Sequence, residues 1–153
     1  MRNMVLAASL GAAALFSGST VMAEDHQVEM LNKDSQGRAM QFEPAFIHIE
    51  PGDTVTFVAT SKTHNSEAIP ALIPPEAEPW KGKINQEITA DFEVPGFYVY
   101  KCTPHLGMGM IGLVQVGDPT EDLDAAAIGK LPKKAKDRLA ELIAEAQAPT
   151  EAQ

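Results

Sequence analysis

Hydrophobic and polar positions alternate through the middle of the chain. In "FIHIEPGDTVTFVAT" two such runs, Phe46–Glu50 and Thr54–Ala59, flank a Pro-Gly-Asp turn. "EITADFEVPGFYVYKC" repeats the plan: Ile88, Ala90, Phe92 and Val94 alternate, Pro95-Gly96 turns, and Phe97–Lys101 run extended. "MIGLVQVG" supplies a last strand, and β signals extend from Val28 to Val116. Short strands separated by turn residues predict an all-β fold, an antiparallel sandwich or barrel. The proline-dense stretch Ile69–Ile84 breaks the rhythm and reads as an irregular excursion, in which Trp80 is a packing residue.

After Gly117 the period changes. Asp118-Pro119 predicts a helix start, with Asp118 as N-cap, leading into a short helix through "TEDLDAAAIGK" with Gly129 near its end. Pro132 opens a second helix, "PKKAKDRLAELIAEAQ", in which Ala135, Leu139, Leu142, Ile143 and Ala146 share one face. Two such helices are expected to pack on the sandwich. The β domain is thus placed at 24–117, its helical extension at 118–147 and a flexible tail at 148–153. The basic run "KLPKKAKDR" on the extension reads as a solvated face.

The first residues have neither period. "MRNMVLAASLGAAALFSGSTVMA" has basic Arg2, an apolar run from Val5 to Phe16, and Val21 and Ala23 at the −3 and −1 positions of a cleavage site. It predicts a secretory signal over 1–23, removed after Ala23, and a periplasmic protein with no membrane insertion after processing. Processing would move the net charge from −9 to −10, since only Arg2 is lost. So acidic a protein is not expected to bind nucleic acid. With 153 residues and 44% hydrophobic positions, the chain suits one domain with a core of its own. Its single cysteine, Cys102, permits no internal disulfide and needs burial or ligation in an oxidising compartment.

That cysteine stands in "YKCTPHLGMGM". Cys102-x2-His105-x4-Met110 offers a thiolate, an imidazole and a thioether at the junction of two predicted strands. Such a set suits copper, and a His₂Cys plane with an axial Met is the arrangement of blue-copper centres. A second histidine is needed. His26 lies near the start of the processed chain and is expected to be solvated; His48, between Ile47 and Ile49, faces outward if those face the core. His64, at the end of a strand and followed by Asn65, is the best candidate. A Cys/His nucleophile pair and a copper chaperone or store are the competing readings. The first lacks an evident oxyanion or orienting group; the second calls for exposed ligands.

"KCTPHLGMGMIGLVQVG", "FEPAFIHIEPGDTVTF" and "THN" resemble the cupredoxins, and within them the pseudoazurins. The cysteine-loop spacing alone is shared with plastocyanin; the two helices favour the pseudoazurin pattern. The resemblance covers Glu24–Gln147 and implies a Greek-key sandwich, one copper ion per chain and electron transport rather than catalysis. It implies His64, Cys102, His105 and Met110 as ligands; Met108 would give the shorter spacing of amicyanin. It implies that Asn65 ties the histidine loop to the cysteine loop with its N–H toward the thiolate, and that Pro104, with no N–H, leaves the sulfur few hydrogen bonds. At Thr63 the chain departs from the family, which carries Gly. For docking the resemblance implies an apolar patch of Met40, Pro104, Gly107 and Met108 around His105, inside a ring of Lys33, Lys62, Lys81 and Lys101. The expected acceptor is copper nitrite reductase in denitrification, the donor a c-type cytochrome or membrane complex, and the carrier a monomer.

Overall fold

The computed structural model describes residues 22–148. The signal expected over 1–23 and the tail expected over 148–153 therefore lie almost wholly outside the described residues. The described strands are β1 (Asp25–Lys33), β2 (Ala39–Glu43), β3 (Phe46–Ile49), β4 (Asp53–Val58), β5 (Glu67–Ala68), β6 (Ile88–Phe92), β7 (Gly96–Lys101) and β8 (Ile111–Val116). They form two four-stranded sheets, ordered β2-β1-β4-β6 and β3-β8-β7-β5.

Both sheets are mixed, which corrects the purely antiparallel expectation. β1 pairs in parallel with β4, with Val28 opposite Phe57, and β3 in parallel with β8, with Phe46 opposite Leu113. The cause lies at Pro51-Gly52-Asp53. This turn does not close a hairpin; it carries the chain from β3 in one sheet to β4 in the other. Strands adjacent in sequence are thereby parted, and each pairs with a distant partner.

Alternation has its expected meaning in β4, where Asp53, Val55 and Phe57 are buried and their neighbours half-exposed. In β8 it fails for a physical reason: Ile111, Gly112, Leu113 and Val114 are all buried. One face of β8 meets the sandwich core and the other is covered by a helix, as in any doubly covered strand. The covering helix is α2 (Lys133–Gln147), which buries Ala135, Leu139 and Leu142.

The short helix α1 (Ala125–Gly129) begins later than the sequence predicts. Asp124, not Asp118, is its N-cap, and its carboxylate accepts from the N–H groups of Ala126 and Ala127 at 2.8 and 3.3 Å. Helix starts where the alanine run starts, because alanine has the strongest helix propensity.

Trp80 packs, as expected. Its ring stacks on Phe57 at 5.4 Å and its indole N–H donates to Ser66 Oγ at 2.9 Å. The proline-rich excursion carrying it contains a 3-10 turn, Pro70–Leu72, and returns to pair beside β5 through Lys81. Phe42, Phe57, Phe92, Tyr98 and Tyr100 complete the aromatic core. Tyr100 lies across Gly112 of the neighbouring strand so closely that a Cβ there would stand 2.1 Å from its Cζ. Only glycine leaves room for this ring.

Candidate metal centre

Two loops at one end of the sandwich build the centre. The first, between β4 and β5, carries His64; the second, between β7 and β8, carries a 3-10 turn, Thr103–Met108, flanked by Cys102 and Gly109. Thr103 and Pro104 start that turn, and Gly109 ends it in the left-handed region at φ +95°. The turn places His105 back over Cys102, whose carbonyl accepts the His105 N–H at 3.1 Å. Main-chain pairing of Cys102 N–H with Met110 O, also 3.1 Å, brings the two ends of the loop together. Helix α2 backs the loop from outside: a Cβ on Gly109 would meet the Lys134 carbonyl at 3.2 Å.

Cys102 Sγ lies 3.6 Å from His64 Nδ1 and 3.4 Å from His105 Nδ1, and the two nitrogens are 3.1 Å apart. A point equidistant from all three, the circumcentre of this 3.1, 3.4 and 3.6 Å triangle, is about 2.0 Å from each. That is close to the length of a bond from nitrogen or sulfur to a first-row transition metal, about 2.0–2.3 Å. The donor set therefore fits one such ion. Cys102, His64 and Met110 are fully buried, and His105 is half-buried. Met108 is 46% exposed, whereas Met110 is fully buried and its backbone bonds to Cys102 and His105.

Among the predicted second contacts, Asn65 lies between the two loops. Its Oδ1 accepts the Thr103 N–H at 2.8 Å, and its Nδ2 donates to Thr103 Oγ1 at 3.2 Å and Gly82 O at 3.1 Å. Burial pushes the Cys102 thiol up, while the backbone N–H groups of Asn65 and His105 toward its sulfur pull it back. Pro104 contributes none, but the His105 donor was not foreseen. Burial also lowers His64, with the neighbouring His105 acting in the same direction. A neutral imidazole is the form that ligates metal.

Thr63 occupies the left-handed region at φ +75°, an uncommon place for a β-branched residue. Asn85 holds it there: its Oδ1 accepts the Thr63 N–H, and its own N–H donates to His64 O at 2.9 Å. Thr63 is thus tied down by the side chain of Asn85, just past the excursion.

The other histidines lie away from the centre. His48 is exposed and bonds to Gly117 O at 3.0 Å. His26 is not merely solvated: its Nε2 lies 3.0 Å from the buried carboxylate of Asp53. Three contributors escaped sequence reasoning. Asn32 Oδ1 is 2.9 Å from His64 Nε2, and Glu67 Oε2 accepts the Thr103 hydroxyl at 2.7 Å. Neither has a distinguishing spacing from the loops it serves. Asn85 could have been suspected only from an Asn in a proline- and glycine-rich return.

Of the expected docking residues, Pro104, Gly107 and Met108 are exposed on the turn beside His105, and Met40 is half-buried against the core. Lys33, Lys62 and Lys81 are exposed and Lys101 half-buried. Lys33 follows Asn32, Lys62 stands on the His64 loop and Lys101 precedes Cys102; Lys81 Nζ is 3.7 Å from Glu67.

The chain matches the family model described as copper binding proteins, plastocyanin/azurin family, over residues 28–117. It is 52% identical to a pseudoazurin from Paracoccus pantotrophus over 132 residues, 86% of this chain and 90% of that one. Among solved structures, a pseudoazurin from Sinorhizobium meliloti is 51% identical with a TM-score of 0.76, covering 82% of this chain and 98% of that one. A pseudoazurin from Methylobacterium extorquens AM1 is 39% identical with a TM-score of 0.73, over 80% of this chain and 99% of that one.

Proposed function

The chain belongs to the pseudoazurin branch of the plastocyanin/azurin family of copper-binding proteins, and on that premise we propose that it is a periplasmic one-electron carrier rather than an enzyme. The observation that carries the reading is the triangle of Cys102 Sγ, His64 Nδ1 and His105 Nδ1, with buried Met110 on the same loop. His64, Cys102, His105 and Met110 would hold one copper ion, and the bound metal supplies a Cu(II)/Cu(I) couple.

The residues of the chain do the rest. Burial of Cys102, His64 and Met110 keeps water from the donors. The bond between the loops through Asn65, and the bond from Asn32 on β1 to His64, hold those donors in one arrangement. His105, half-buried and bordered by exposed Pro104, Gly107 and Met108, is the edge through which an electron enters and leaves. A small apolar patch of this kind suits brief redox encounters. Lys33, Lys62, Lys81 and Lys101 give this end a positive character on an acidic protein and steer an acidic partner toward it. The acceptor we favour is copper nitrite reductase in denitrification, with a c-type cytochrome as donor and the carrier a monomer. No helix among the described residues is long and apolar enough to cross a membrane.

Titrating the processed protein with Cu(II) tests the reading. One equivalent should develop an intense visible thiolate-to-copper band that Cys102→Ala abolishes. A band that survives in the Ala variant would remove Cys102 from the centre. Stopped-flow electron transfer to copper nitrite reductase should slow as salt rises, because the Debye length falls to about 8 Å at 0.15 M. A rate indifferent to salt would leave only the apolar patch.

A further inference from the structure

We propose that Glu67 is a positioning residue for the copper centre, acting through Thr103 and Asn65; the inference rests on the copper reading above. Asn65 follows His64 and Thr103 follows Cys102, so the bond between these two residues sets the spacing of two ligand-bearing loops 38 residues apart. That bond has two parts: Thr103 N–H to Asn65 Oδ1, and Asn65 Nδ2 to Thr103 Oγ1. The second requires the Thr103 hydroxyl to present a lone pair to Asn65. A hydroxyl has one proton and can turn it either way. Glu67 Oε2, 2.7 Å away, takes that proton and fixes the rotor with its lone pairs toward Asn65. With this acceptor gone, the hydroxyl proton is free to swing toward the Asn65 amide, where it would meet another donor.

Glu67 is itself fixed. Its backbone pairs with Lys101 in β5–β7 and bridges to Lys81, and its side chain is only 17% exposed. Its ion pair with Lys81 is long, at 3.7 Å, and Lys81 is 79% exposed, so that contact is the weaker of the two. The short bond to Thr103, not the surface pair, gives the carboxylate its role. The chain of contacts runs Glu67–Thr103–Asn65, and Asn65 directly follows the ligand His64 as Thr103 follows Cys102.

A double-mutant cycle on the copper-loaded protein tests this. Glu67→Leu, Glu67→Ala, Glu67→Gln, Thr103→Val and the Glu67→Leu/Thr103→Val pair are compared by the rate of copper release to excess chelator and by the visible band. Thr103→Val and each apolar change at Glu67 should speed release by about 10-fold, the scale of losing a contact that orients a metal ligand. Glu67→Gln, whose carbonyl oxygen still accepts the hydroxyl proton, should stay near wild type. The double variant should release copper no faster than the faster single one, since both changes cut the same link. Additive rates would overturn the proposal, and so would a Glu67→Gln as fast as Glu67→Leu, which would make the effect one of charge. Leu and Ala must agree, which separates loss of the acceptor from a packing fault of either side chain. Absence of the visible band from the wild-type protein would instead sink the copper reading itself.

Discussion

His64 Nε2 lies 2.9 Å from the side-chain oxygen of Asn32, a residue 32 positions earlier at the end of β1. The oxygen accepts, so the imidazole carries its proton on Nε2 and turns a bare Nδ1 toward Cys102 and His105. Asn32 is held in turn by its own N–H, which donates to Ser61 Oγ at 3.1 Å. A ligand's tautomer is thus chosen by β1, the neighbour of the strand that leads into the His64 loop.

Asn32→Ala should therefore weaken copper binding by about 10-fold while leaving the fold intact. Asn32→Asp, which keeps an acceptor at the same place, should retain most of the affinity. Competition titration against a chelator of known affinity reads both; equal losses in the two variants would count against the hydrogen bond.

Met110→Leu should leave copper bound and raise the reduction potential, because an axial thioether stabilises Cu(II) more than a hydrocarbon does. Met108→Leu should change the potential little, as its side chain faces solvent. Voltammetry of the two variants decides, and a reversed pair of results would reassign the axial ligand.

Gly112→Ala should be among the most damaging single changes in the sandwich. The new methyl would overlap the Tyr100 ring, which is fully buried among Phe42, Phe57 and Trp80 and has nowhere to turn. Overpacking of this kind costs about 1–3 kcal/mol or more. The urea midpoint of the metal-free protein should fall accordingly, and a midpoint equal to wild type would mean the ring can move.

Acid should loosen the end of the sandwich that carries Asp53. Burial alone would raise its carboxyl, but the N–H groups of Glu24 and Glu50 and the His26 imidazole outweigh that and hold it below the ordinary carboxylate value. A carboxyl depressed in the folded state contributes its stability in full above the unfolded pKa, about 3.9, and loses it as pH falls through the lower folded value. Asp53→Asn should flatten this acid dependence when denaturation midpoints are compared across that range. An unchanged slope would assign the acid sensitivity to other groups, of which Asp34, also lowered against burial by its bonds to Arg38 and Gln36, is the first to examine.

Much of this was legible because short-range rules and soft ligands leave plain marks. Cys102, His105 and Met110 sit within nine residues, alternation in β4 survives into the structure, and of the predicted apolar face Ala135, Leu139 and Leu142 are buried while Ile143 and Ala146 are half-buried. The parallel pairings were not legible, because whether Pro51-Gly52-Asp53 turns within a sheet or between sheets depends on partners far away in the chain. Asp118 resembled a cap as well as Asp124 does; the alanines after Asp124 decided the matter. Asn32, Glu67 and Asn85 stayed hidden for one reason: each serves the centre through a hydrogen bond whose partner only the folded chain brings near.

The distance along the chain between Cys102 and His64 has a thermodynamic side. Their donor atoms are 3.6 Å apart in space and 38 residues apart in sequence, in a protein whose one cysteine excludes an internal disulfide. A metal bound between them is then a cross-link, a removable staple closing the same kind of loop that a cystine closes elsewhere. Cystines across loops of such length are worth about 2–4 kcal/mol. The staple adds whatever the metal's preference for the folded chain supplies. In a cell this protein would carry two identities, one tied and one untied, and the supply of copper would govern how much of it survives heat and proteases.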